Sequence, residues 1–67
     1  MRKYTVVKIE DGVELEIDYI FARTLLAAAR IYGFEKPYML LDHESGCQVV
    51  TEEAGVNWEC YLYIKES

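Results

Sequence analysis

The stretch KYTVVKIEDGVELEIDYI, residues 3–20, alternates apolar and polar positions on either side of Glu10-Asp11-Gly12. A period of two marks half-buried strands, and Asp-Gly marks the turn of a hairpin between them. A two-residue Asp11-Gly12 loop sets Val7 opposite Glu16 and Ile9 opposite Glu14, mixing apolar with acidic. A three-residue loop, with a type I turn and Gly12 left-handed in a bulge, sets Ile9 opposite Val13, Val7 opposite Leu15 and Thr5 opposite Ile17. It brings turn chemistry and hydrophobic pattern into agreement, so it is the register expected. The inward row is then Thr5, Val7, Ile9, Val13, Leu15 and Ile17. The outward row is Tyr4, Val6, Lys8, Glu14, Glu16 and Asp18.

Alternation stops at FARTLLAAARIYGFEK, where alanine and leucine dominate and predict a helix. Thr24 can cap its N-terminus and Gly33 can end it in a left-handed conformation. Phe21, Leu25, Ala28, Ala29 and Tyr32 recur at helical spacing and should face a sheet. Two or three turns do not persist alone in water, so packing must hold this helix. Beyond Pro37, YMLLD and CQVVT flank HESG as a second hairpin, with Asp42 opposite Cys47, Leu40 opposite Val49 and Tyr38 opposite Thr51. A last strand runs from Trp58 to Lys65. Trp58, Cys60, Leu62 and Ile64 point inward, and Tyr61 and Tyr63 point outward.

The predicted order is β-β-α-β-β-β: an α+β domain with an antiparallel sheet of four to five strands and one helix on one face. At 67 residues the chain is a single compact domain. Domains of this size bury only about 60% of their unfolded surface, so added burial by self-association would help. The helix should cover Val7, Ile9, Leu15, Ile17, Leu40, Val49, Trp58 and Leu62. Tyr4, Val6, Met39, Leu41, Val50, Tyr61 and Tyr63 are left on the opposite face. Contiguous apolar surface on a small protein marks an interaction site, and tyrosine is common in interface cores. Scattered exposed tyrosines, however, need no function.

Charge narrows the partners. Twelve Asp and Glu against seven Lys and Arg give a net charge of -5, which repels phosphate backbones and argues against direct nucleic-acid binding. Glu14, Glu16 and Asp18 on one strand face would stand about 7 Å apart, close to the phosphate pitch of one nucleic-acid strand. Such a row can occupy a groove made for phosphates, or it can be a solvated strand face. No apolar run is long enough to span a membrane, and no signal peptide is visible, so a cytoplasmic location is expected.

Candidate chemistry is sparse. His43, between Asp42 and Glu44, has the neighbours of a general base, but no nucleophile accompanies it and a solvated turn residue explains it as well. Cys47 and Cys60 have no metal-ligand spacing, and Cys60 reads as a buried strand thiol. No catalytic residue, cofactor site or metal site is expected.

Small size, acidity, the β-β-α-β-β-β plan, the ARTLLAAAR helix and the DHESGCQVV hairpin together resemble small phage and mobile-element proteins, notably anti-CRISPR inhibitors of host defence. The resemblance implies a stoichiometric, non-enzymatic inhibitor in the host cytoplasm. Its partner would be a host protein or ribonucleoprotein effector with a basic patch, met in some cases by mimicry of nucleic-acid charge. The residues expected to meet that partner are Tyr4, Glu14, Glu16, Asp18, Tyr61 and Tyr63. The alternative expectation is a structural homodimer that pairs open sheet faces or edge strands.

Overall fold

The computed structural model describes residues 1–42, 47–52 and 60–67. The elements are β1 (Arg2–Glu10), β2 (Val13–Ala22), α1 (Leu25–Tyr32), β3 (Pro37–Asp42), β4 (Cys47–Glu52) and β5 (Cys60–Glu66). The fold is the expected α+β plan, with five strands in the order β2-β1-β5-β4-β3 and antiparallel pairing throughout. The last strand inserts between the two hairpins, so β5 is the middle strand and β1 lies between β2 and β5. The link through α1 carries the chain from one sheet edge, β2, to the other, β3.

The helix forms for the expected local reasons. Thr24 Oγ1 accepts from the Ala27 N–H at 3.0 Å. Gly33 is left-handed at φ 118°, and the Gly33 and Phe34 N–H groups donate back to Arg30 and Ala29. This double closure ends the helix and turns Phe34 under it. Leu25, Ala28 and Ala29 are buried against the sheet, where the alanines permit close approach, and Tyr32 packs at the margin. Phe21 is more than half exposed and lies on the other face, contrary to the helical spacing that placed it against the sheet.

The second hairpin has the predicted register, Tyr38 with Thr51, Leu40 with Val49 and Asp42 with Cys47. The HESG loop and Trp58 lie outside the described residues.

The first hairpin differs from expectation. Its loop has two residues, Asp11 and Gly12, both left-handed at φ 51° and 78°. Positive φ at both centres is what a type I′ turn needs, and its twist suits the flanking strands better than a type I turn. Glu10 therefore pairs with Val13, Ile9 with Glu14 and Val7 with Glu16. A bulge then intervenes: Val6 pairs with Asp18, leaving Ile17 as the extra residue of β2.

This one-residue change reverses the faces of β1. The helix covers Tyr4, Val6, Ile20, Ala22, Val50 and Ile64, and Leu62 packs against that cluster. Val7 and Ile9 lie on the opposite face with Tyr61 and Tyr63. The expected assignments of Leu62, Tyr61 and Tyr63 stand. Those of Tyr4, Val6, Val7, Ile9 and Val50 are reversed. A strand buried on both faces has no polar face to signal its orientation.

Candidate interaction surface

The face without the helix is built from three neighbouring strands. Register places Lys3, Thr5, Val7 and Ile9 of β1 between Phe21, Tyr19, Glu16 and Glu14 of β2 and Lys65, Tyr63 and Tyr61 of β5. Val7 and Ile9 are nonetheless buried. Tyr63 accounts for much of this. Its ring packs with them, and its hydroxyl donates across β1 to Glu14 Oε1 at 3.3 Å. Tyr61 lies beside it, with ring centroids 6.1 Å apart. The paired tyrosines thus form a roof over the apolar part of β1, tethered by a carboxylate on the far strand.

Of the six residues expected at a partner surface, the structure brings four together: Glu14, Glu16, Tyr61 and Tyr63. Tyr63 is only 8% exposed, so it supports the surface more than it projects from it. Tyr4 is buried in the cluster under the helix and is no surface anchor. Its reversal follows from the hairpin register. Asp18 is exposed but sits past the bulge, opposite Val6, so it does not continue the Glu14–Glu16 row. Its carboxylate accepts from the Tyr19 N–H at 2.8 Å, a local bond within the irregular part of β2.

Tyr19 and Phe21 are exposed aromatics on this face; alternation left Tyr19 unassigned, and helical spacing set Phe21 against the sheet. They stack edge to face with centroids 5.8 Å apart, and Lys3 Nζ lies 4.9 Å from the Tyr19 ring centroid. The available signal was a switch in pattern: apolar residues alternate with acidic ones through Asp18, and Tyr19, Ile20, Phe21 and Ala22 then follow with no polar residue between them. That switch is what a bulge produces. Lys3, Thr5, Glu16, Ile17, Asp18 and Tyr19 line a shallow open groove of about 280 Å³ at the bulge. Both signs of charge border it.

Other candidate groups carry little. Cys60 is exposed at the start of β5, not buried as its alternation suggested. It pairs with Glu10, at the hairpin end that the helix does not cover. His43 and the Cys47 side chain lie outside the described residues. Among the described residues no three His, Cys, Asp or Glu side chains converge as a metal site would need. No helix among them is long and apolar enough to cross a membrane. Lys8 Nζ stands 3.1 Å from Glu10, and that hydrogen bond and charge hold its pKa above the ordinary 10.5. Thr5 and Ser67 join their hydroxyls, and the Ser67 N–H donates to the Lys3 carbonyl, which ties the last residue to β1.

Compared with protein-family models, curated proteins and solved structures, the chain matches none.

Proposed function

We propose that the protein is a non-enzymatic binding module that acts in the cytoplasm as an inhibitor of a host defence effector of the CRISPR-Cas type. The observation that carries the binding reading is the helix-free sheet face. There Glu14 and Glu16 border Tyr61 and the exposed pair Tyr19 and Phe21. Aromatic groups bring apolar contact area, and carboxylates at their edge steer a basic partner into register. With a net charge of -5, a basic protein or ribonucleoprotein surface suits this face better than a bare nucleic acid. The defence-inhibitor part of the reading rests on the resemblance in size, acidity and plan.

The test is phage plating on bacteria that carry an active CRISPR-Cas system and express the chain. Plating should rise to the level of a strain without that defence. Tyr61→Ala, in an inner strand far from the β2 edge, should reduce this protection at least tenfold while the circular dichroism spectrum is kept. Unchanged plating with the unaltered chain in each defence type tried would sink the inhibitor reading. A purified effector that binds the Tyr61→Ala variant as tightly as the original would sink the surface assignment.

A further inference from the structure

The strand β2 forms one edge of the sheet for ten residues, and only Ile20 and Ala22 along it are buried. A long exposed edge with apolar side chains is a template for another strand. Val13, Leu15, Ile17, Tyr19 and Phe21 are each about half exposed along it, between 46% and 58%. The bulge decides what can pair there. Before it, odd residues share the helix side of the sheet; after it, even residues do. An antiparallel copy of β2 centred on Ile17 and Asp18 sets odd residues opposite even ones. In a regular strand that register would mismatch the faces. Here it matches them.

We propose that the occupant of this edge is a second copy of the chain, paired β2 to β2 about a two-fold axis into a continuous ten-stranded sheet. Val13 then faces the partner's Ala22, and Leu15 faces the partner's Ile20. The apolar half of β2 that its own helix leaves bare meets the half that the partner's helix covers. On the other face Glu14 meets the partner's Phe21, and Glu16 meets the partner's Tyr19. The cation stationed over each Tyr19 is Lys3, so a carboxylate and an ammonium converge on either side of the two-fold axis. Exposed Arg23, just past β2, comes opposite the partner's Gly12 and beside the partner's Asp11. An acidic hairpin end thus lies on a basic, aromatic strand end, twice by symmetry. This inference stands apart from the proposed function, since a dimer can form with or without an effector to bind.

Sedimentation at micromolar concentration tests it. The unaltered chain should run at twice the 7.8 kDa of one chain. Glu16→Lys should shift it to the monomer, and adding Lys3→Glu to that variant should restore the dimer by exchanging the two charges. Leu15→Lys, at a side chain already about half exposed in one copy, should also give a monomer and decides the matter if Glu16→Lys fails to fold. Isotope-filtered NMR on mixed labelled and unlabelled protein should show contacts from Leu15 to the partner's Ile20. A monomeric unaltered chain overturns the proposal. So does a dimer that survives both lysine substitutions, because it must use another surface. Leu15 lies on the helix side, away from Glu14, Glu16 and Tyr61, so a monomeric Leu15→Lys variant should keep its protection in the plating test, which keeps the two readings separable.

Discussion

The two faces of this sheet solve one problem by different means. On the helix side, Val6, Val50 and Ile64 are fully buried under an alanine-rich helix that can approach closely. Each such side chain contributes roughly 1.5–3 kcal/mol by leaving water. On the open side there is no second helix among the described residues, and Val7 is covered as completely by the chain's own tyrosines. One face is sealed by an element, the other by side chains held across strands. A tyrosine suits the second task because its ring is apolar and its hydroxyl can reach a carboxylate at the rim. Part of the outward aromatic character is therefore structural, chiefly that of Tyr63, which leaves half-buried Tyr61 and exposed Tyr19 and Phe21 as the aromatics available for contact.

The contrast can be broken from either side. The largest effect is expected at Ile64→Ala, which opens a cavity in the middle of the helix-side cluster and should cost about 2–5 kcal/mol in urea denaturation. An equal loss from Leu15→Ala, whose side chain is half exposed, would contradict the layering. An intermediate effect is expected at Tyr63. Removing the ring as Tyr63→Ala should destabilise by about 3 kcal/mol, because it uncovers Val7 and Ile9. Tyr63→Phe keeps the roof and loses only the long bond to Glu14, at a cost near 1 kcal/mol or less. If the two Tyr63 variants prove equally unstable, the hydroxyl and not the ring holds this face.

The smallest effect concerns the exposed Lys8–Glu10 pair. The folded pKa of Lys8 is raised, so its stabilising contribution is complete below the unfolded value near 10.5 and is lost as pH climbs through the higher folded value. Lys8→Met should therefore flatten the alkaline fall in stability above about pH 10 and leave neutral stability nearly unchanged. A steep alkaline fall retained by Lys8→Met would assign that fall to other groups.

Two hairpins of one chain were not equally legible. In the β3–β4 hairpin, loop length and alternation point to one register, and the structure has it. In the β1–β2 hairpin they conflict. Pairing apolar with apolar favours a three-residue loop, whereas Asp11-Gly12 is the preferred composition of a two-residue one. The turn chemistry prevailed, and the cost of setting Ile9 opposite Glu14 is offset because Tyr63 covers Ile9 and bonds Glu14. That compensation comes from a strand about fifty residues further along, beyond the reach of any local pattern. The candidate site inherited the same fault. The three-residue loop sets Tyr4 outside; the bulge turns Tyr19 to the open face, and Phe21 belongs to β2 rather than to the helical stripe.

Periodicity and capping residues alone determined the number and order of the elements, the limits of the helix, and the alternate facing of Tyr61, Leu62, Tyr63 and Ile64 in β5. Those features depend on contacts within a few residues, which composition and spacing encode directly. Tertiary structure decided which face of β1 meets the helix, where β2 bulges, and which aromatics stay exposed. β1 lies between β2 and β5 and is apolar on both sides, so its own residues do not distinguish the faces. Only the strand that arrives last, β5, supplies the tyrosines that make one arrangement the better packed.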